Sequence, residues 1–231
     1  GSSETRTIDF PASTSRRPWS MSPEAQLAEG LVVLGNDLPA SAQQRLLDYA
    51  GLLEKWNHTY RLTALSATSL AISHHLLDSL AVLPFVKGAT LLDVGSGGGM
   101  PGIPLAIARP ELQVTLLDSS SKKTAFMQQV AIELSLANIA VHCGRVETYR
   151  PPARFATITA RAFSDLSTLV KLSGHLLQSG GHWLAMKGVW PQDEIAGLPL
   201  EVAVDTVHRL DVPGVKGERH LVVMRSSAGQ H

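Results

Sequence analysis

The sequence predicts an α/β protein: a mostly parallel, seven-stranded sheet covered by helices on both faces, with a helical extension ahead of it. Three observations carry that reading. From Ala89 onward, short apolar runs alternate with helix-length segments, as strands buried on both faces do. One run ends in an acid, breaks into glycines and restarts as a helix: Leu91-Leu92-Asp93-Val94-Gly95-Ser96-Gly97-Gly98-Gly99-Met100-Pro101-Gly102-Ile103-Pro104. Ahead of Ala89, apolar residues recur with helical rather than alternating spacing.

The elements follow in order. Ser22-Pro23-Glu24 is a helix start, with Ser as N-cap and Pro at the first helical position; Leu27, Leu31 and Leu34 repeat at i, i+4, i+7 before Gly35 stops the helix. Ser41 with Gln44 reads as a capping box, opening a second helix through Leu46, Tyr49, Leu53 and Trp56. A third helix covers about 68–83 and ends at Pro84. The alternating region then gives strand 89–94, helix 101–109 with Pro101 in its first turn, strand 112–117, helix 121–137, strand 139–143, strand 155–160, helix 164–177 and strand 181–187. After a short helix at 191–197, strands 200–210 and 219–225 flank a Pro213-Gly214 loop and suit an antiparallel pair closing the sheet edge. The expected organisation is a disordered tail over 1–21, a helical extension over 22–86 and a ligand-binding domain over 87–226. Gly1-Ser2 reads as an expression remnant and Met21 as a native start.

Composition narrows the function. The 231 residues hold 20 Lys+Arg and 20 Asp+Glu, a net charge of zero, so a polyanionic partner has to be met by a local patch. Cys143 is the single cysteine, which excludes an intrachain disulfide and points to a reducing compartment. No apolar run approaches the roughly 18 residues of a membrane span. A soluble, cytoplasmic protein is expected.

The glycine loop admits two cofactor classes. Gly97-Gly98-Gly99-Met100-Pro101-Gly102 matches G-x-G-x-x-G, and Asp118 follows where a dinucleotide site places an acid. In that fold, however, the first glycine follows the strand at once. An acid at the strand end followed by Gly95, Gly97 and Gly99 resembles instead the S-adenosylmethionine loop of class I (Rossmann-like) methyltransferases, with Asp93 expected beside the charged methionine end.

Ligands of open α/β sheets bind outside the C-terminal strand ends. That rule selects Asp93 with its loop, Asp118-Ser119, Gly144-Arg145-Val146-Glu147 and Arg161. The Asp118 carboxylate can accept ribose hydroxyls or cap the next helix. Arg145 and Arg161 need anionic partners, either in a ligand or in Glu147 and Asp165. His75 and Asp78 lie at i, i+3 with no third metal ligand, so a His–Asp hydrogen bond and no metal site are expected. Cys143 is expected in the core, and Trp56 and Trp190 are expected to pack rather than stack on bases.

At a larger scale the chain resembles the glucose-inhibited division protein B family, bacterial methyltransferases of small-subunit (16S) ribosomal RNA that modify guanine N7. The resemblance rests on Trp56-Asn57, Leu62-Thr63-Ala64, His75-Leu76-Leu77-Asp78-Ser79-Leu80, the stretch from Asp93 to Leu105, Arg161-Ala162-Phe163, Lys187-Gly188 and Glu218-Arg219-His220, in that order over about 41–224. It implies S-adenosylmethionine as cofactor, lined by Gly95 and Met100, with Val146 and Glu147 beside the adenine; the loop reading adds Gly97 to the lining and Asp118 at the ribose. It implies Arg161 between cofactor and target, and Arg145 as a second basic contact to RNA. The implied partner is ribosomal RNA or the small ribosomal subunit; neither a membrane nor a metal is expected, and the chain is expected to be a monomer. A small-molecule methyltransferase and a nicotinamide-dependent reductase are the alternatives. Exclusion favours N7. Enzymes acting on exocyclic amines place Asn/Asp-Pro-Pro-aromatic after the fourth strand, where this chain has Ala160-Arg161-Ala162-Phe163; methylation of a pyrimidine carbon needs a cysteine nucleophile on a loop, and Cys143 is the only cysteine. Phe163 is a candidate stacking surface for the target guanine.

Overall fold

The computed structural model describes residues 21–60 and 68–227; the tail over 1–20 and the Leu62-Thr63-Ala64 match lie outside them. Helix α1 spans Pro23–Leu34, with the Ser22 hydroxyl accepting from the Ala25 N–H at 3.1 Å and Gly35 in the left-handed conformation at its end. Helix α2, Ala40–Tyr60, starts earlier than the expected capping box. The N–H groups of Ala42 and Gln43 are met by the Pro39 carbonyl, and the Gln44 amide donates to Asp48 instead of reaching back to Ser41.

The third expected helix is broken into α3, Thr68–Ala71, a π-helical stretch over Ile72–Leu77, and α4, Asp78–Leu80. The wide turn carries His74 and His75, and π-helical turns concentrate at functional sites.

The alternating region forms β1 (Thr90–Val94), α5 (Gly102–Ala108), β2 (Gln113–Asp118), α6 (Ser121–Glu133), β3 (Ile139–Cys143), β4 (Phe155–Arg161), α7 (Leu166–Ser173), β5 (Leu177–Lys187), α8 (Gln192–Ala196), β6 (Val202–Arg209) and β7 (His220–Ser226). The seven strands lie in the order β3-β2-β1-β4-β5-β7-β6, with β7 antiparallel to both neighbours. Strand order reverses between β1 and β4, which opens a crevice at their C-terminal ends. Register sets Val94 beside Ala160 and Asp118 beside Cys143, so the loops after β1, β2, β3 and β4 share one edge.

Two apolar layers cover the sheet. Leu27, Leu46 and Tyr49 of the extension share one buried cluster with Ile103, Leu116 and Phe126, so the extension is built onto the sheet's helical layer. Leu92, Ile158, Leu166, Trp183 and Met224 form the other face. Cys143 departs from expectation. Because β3 is an edge strand, its end is not enclosed, and the thiol is exposed with its sulfur 3.7 Å from the Ser119 carbonyl. No helix among the described residues is long and apolar enough to cross a membrane.

Candidate functional site

The glycine loop is shaped by backbone groups of its neighbours. The N–H groups of Gly95 and Ser96 both donate to the Leu117 carbonyl, at 2.8 and 3.1 Å, and the Gly97 N–H donates to Asp118 Oδ2 at 2.9 Å. Gly95 has φ +66°, and a Cβ there would lie 2.9 Å from the Phe163 ring, so both conformation and space demand glycine. Ala162 also has positive φ, at 52°, a conformation uncommon for non-glycine residues.

Asp93 does not face the crevice. It is fully buried, its Oδ2 accepts the Gly102 N–H at 2.9 Å and its Oδ1 accepts the Thr159 hydroxyl at 3.2 Å. Burial pushes its carboxyl up to about 7, opposed by the Gly102 N–H. The expected carboxylate for a methionine end is instead a latch tying β1 to the start of α5 and to β4.

Two lobes meet at Gly95 and Ala162, which line both. The first, about 320 Å³, is walled by Asp118, Val146, Glu147, Phe163 and Lys123. Asp118 stands at its base with each oxygen accepting one backbone N–H, Gly97 at 2.9 Å and Ser120 at 2.8 Å, and each retains a free lone pair. Ser120, not Asp118, caps α6. The Phe163 ring lies in this lobe, over Gly95, and does not line the second.

The second lobe, about 570 Å³, is bounded by Met100, His74, His75, Arg161, Lys187 and Arg219. Its centre is Asp78, 1% exposed, which takes a two-pronged contact from Arg219 at 2.8 and 2.5 Å and a third from Arg161 Nη1 at 3.4 Å. Arg161 also donates to the His74 carbonyl at 3.0 Å and approaches the Met100 sulfur at 3.4 Å. The expected His75–Asp78 bond is absent, because the π turn directs Asp78 to the arginines. Nδ1 of His75 lies 3.4 Å from Arg161 Nη2 instead. Burial, then the adjacent Arg161 charge, lower His75 to about 4, so the ring is neutral; its Nε2 is buried without a partner among the described residues.

The structure thus separates the two sequence-selected arginines. Arg161 is in the second lobe, paired with Asp78 and not with Asp165, whose carboxylate caps α7. Arg145 stands on the rim of the first lobe, 2.8 Å from Glu147 Oε1, the partner the alternative reading gave it; its side chain is 73% exposed. Gly95, Gly97 and Met100 line the second lobe, and Gly95, Asp118, Val146 and Glu147 the first. Arg219 and the role of Asp78 were missed. Their only sequence signals were the His75-Leu76-Leu77-Asp78 and Glu218-Arg219-His220 stretches, more than a hundred residues apart. Trp56 packs on Phe126 as expected, with ring centroids 5.4 Å apart, but Trp190 is 52% exposed.

A seven-stranded sheet of this order, with a glycine loop after β1, an acid ending β2 and a cleft over the β1/β4 switch, defines a class I methyltransferase. Solved structures share that fold: the O-methyltransferase TomG of Streptomyces achromogenes, in complex with SAM (TM-score 0.56, 14% identity, 90% of this chain and 99% of that one), and TrmN of Thermus thermophilus (TM-score 0.54, 17% identity, 67% and 53%). The chain belongs to the GidB family, rRNA small subunit methyltransferase G, whose model matches residues 42–222. Its relatives include the ribosomal RNA small subunit methyltransferase G of Neisseria meningitidis serogroup C, 54% identical over 89% of this chain and 99% of that protein, and that of Chromobacterium violaceum, 54% identical over 87% and 96%.

Proposed function

We propose that this chain transfers a methyl group from S-adenosylmethionine to N7 of a guanosine in 16S ribosomal RNA of the small ribosomal subunit. The observation that carries the reading is the two-lobed cleft: a carboxylate-bearing lobe of adenosine size opens at Gly95 and Ala162 into a lobe whose charges are mainly cationic. Names and family of the relatives support it. The residues fit the cofactor. Asp118 keeps lone pairs for ribose hydroxyls, Val146 and Phe163 offer apolar walls to an adenine, and Glu147 stands beside them. When bound, the cofactor supplies an electrophilic methyl on a sulfonium.

Guanine N7 carries a lone pair that is free at neutral pH and exposed on the base edge. The N7–carbon bond forms as the carbon–sulfur bond breaks, and no proton has to leave the nucleophile. The chain therefore has to supply alignment, holding nitrogen and methyl carbon in line at roughly 3–3.5 Å. In the second lobe the Asp78 carboxylate is engaged by two arginines and Nδ1 of His75 by Arg161; His74, whose Nδ1 meets the Ser73 hydroxyl at 3.0 Å, also lines the lobe, and attack by N7 asks no proton transfer of it. Arg161 and Arg219 share that one carboxylate, which leaves a surplus positive charge for an RNA phosphate. The enzyme acts in the cytoplasm as a single chain.

Tritium transfer from labelled cofactor to small-subunit particles tests the proposal. Particles with the target guanine replaced by its 7-deaza analogue should bind and accept no methyl. Methylation of the deaza particle would mean that another atom is the acceptor, and transfer to small molecules alone would remove RNA as substrate.

A further inference from the structure

We infer that the exposed face of Trp190 stacks against the base of a nucleotide flanking the methylated guanosine. The inference rests on the RNA reading of the cleft. Trp190 follows Lys187 and Gly188, both of which line the second lobe, and its ring meets His220, the neighbour of Arg219 in that same lobe. Its loop therefore leaves the reacting lobe directly, two residues beyond the lining residue Gly188, and its ring is tied back to the strand that follows Arg219.

The indole is held but not covered. Its contact with His220 is edge-on, with centroids 5.6 Å apart and planes at 83°, so a broad part of the ring is left open and the residue is 52% exposed. Its neighbour Val189 is 70% exposed. Around them the loop is fixed: the His220 Nδ1 contacts the Gly188 carbonyl at 2.7 Å, Pro191 is buried, and the Gln192 N–H donates to the Trp190 carbonyl at 3.0 Å. Trp190 and Val189 together present apolar surface to water on a fixed loop next to residues of the cleft, and clustered exposed apolar surface of this kind marks interaction sites.

The chemistry selects a base as the occupant. Unpaired RNA bases splayed from their stack are taken up on aromatic side chains, while adjacent cations hold the backbone. Arg219 is the main such cation here; Lys187 also lines the lobe, but its ammonium is held by Glu194 at 2.8 Å and by the Ser164 carbonyl at 2.6 Å. Arg219 carries the charge that Asp78 cannot fully offset, since Asp78 also serves Arg161. The target guanine enters the lobe, and the nucleotide beside it meets the segment that leaves β5 past Gly188, which carries the indole.

The test measures particle binding and methyl transfer separately for wild type, Trp190→Ala and Trp190→Phe. Losing one base–aromatic stack should weaken particle binding about tenfold or more. The loss should fall on KM for the particle rather than on kcat, with cofactor affinity and melting temperature unchanged and most of the affinity restored by Phe. Equal binding by Trp190→Ala and wild type overturns the inference whatever the methylation result. So does a loss that accompanies weaker cofactor binding or a lower melting temperature, or failure of the wild type to bind the particle. If the wild type binds but does not methylate guanine N7, and Trp190→Ala binds less, the stacking contact stands and the proposed reaction falls.

Discussion

The Tyr49 phenol donates a 2.6 Å hydrogen bond to the Gly98 carbonyl, fastening α2 of the extension to the glycine loop after β1. Both groups are buried, and burial raises the phenol far above its ordinary pKa, so the donor stays protonated throughout the physiological range. The extension is thereby more than a cover for the sheet. A displacement of α2 is a displacement of the loop that holds the proposed cofactor.

Tyr49→Phe should separate that linkage from packing. The ring is fully buried and Phe keeps it, but the buried Gly98 carbonyl loses its donor at a cost of about 1–3 kcal/mol. For a chain of this size that corresponds to a melting temperature lower by roughly 2–4 °C per kcal/mol. S-adenosylmethionine affinity should fall several-fold in parallel, with kcat at saturating cofactor little changed. Calorimetry that found stability lowered and affinity intact would show that the hydroxyl braces the fold without shaping the loop.

Local chemistry made most of the architecture readable, and distance in sequence hid most of the site. Ser22, Pro23 and Gly35 set the ends of α1 by rules that act within a few residues, and the Asp93-to-Pro104 stretch announced strand, turn and helix in one run. Helix α2 was misread at its start because a carbonyl, that of Pro39, did the work assigned to the Ser41 side chain. Cys143 was misplaced because an alternating pattern gives strands without saying which one ends at an edge. Asp78 illustrates the limit. Its spacing from His75 suggested a local bond, whereas its true partner, Arg219, lies 141 residues away and is brought to it by the antiparallel return of β7. Asp93 was legible as a motif residue but not as a latch, since its direction depends on the close approach of Gly102.

Asp93 and His75 should leave opposite signatures in the dependence of stability on pH. The folded-state pKa of Asp93 is raised from 3.8 to about 7, so its favourable contribution is full below pH 4 and is lost as pH rises through 7. His75 is lowered from 6.5 to about 4, so its contribution is full above pH 6.5 and is lost as pH falls through 4. Asp93→Asn keeps an acceptor for the Gly102 N–H and removes the buried charge. It should be more stable than wild type at pH 8, with about 4 kcal/mol as a ceiling, and the advantage should disappear near pH 4. Melting curves across that range decide the point, and a variant less stable at every pH would mean that the charged form is the one the latch requires.

Asp78→Asn should be costly for a different reason. Arg161 and Arg219 are 19% and 27% exposed and converge on one carboxylate, so removing its charge leaves two poorly hydrated cations facing each other. A loss of about 2–4 kcal/mol is expected, with methyl transfer falling further because Arg161 is no longer held against Met100 and His74. Pairing the change with Arg219→Met should restore stability without restoring activity. Recovery of both together would assign Arg219 to the fold alone.

Asp118 gives the sharpest test of the cofactor. Its two oxygens already accept the Gly97 and Ser120 N–H groups, so an added pair of ribose hydroxyls would complete its lone pairs, and the charge on the carboxylate would strengthen all four bonds. Asp118→Ala should weaken S-adenosylmethionine binding by about 1.5–3 kcal/mol and also loosen the loop at Gly97. Asp118→Asn is the more informative change. Its carboxamide oxygen can serve one of the two N–H groups, but its NH2 must then confront the other, and only one oxygen is left to meet the ribose. Its cofactor affinity should therefore resemble that of the Ala variant, although its side chain fills the same space. NADH should not bind the wild type, because the Gly97 N–H that would face a pyrophosphate is already given to Asp118. Asn behaving like wild type would mean that ribose is held elsewhere along the first lobe, and Glu147→Gln would then be the variant in which cofactor affinity falls.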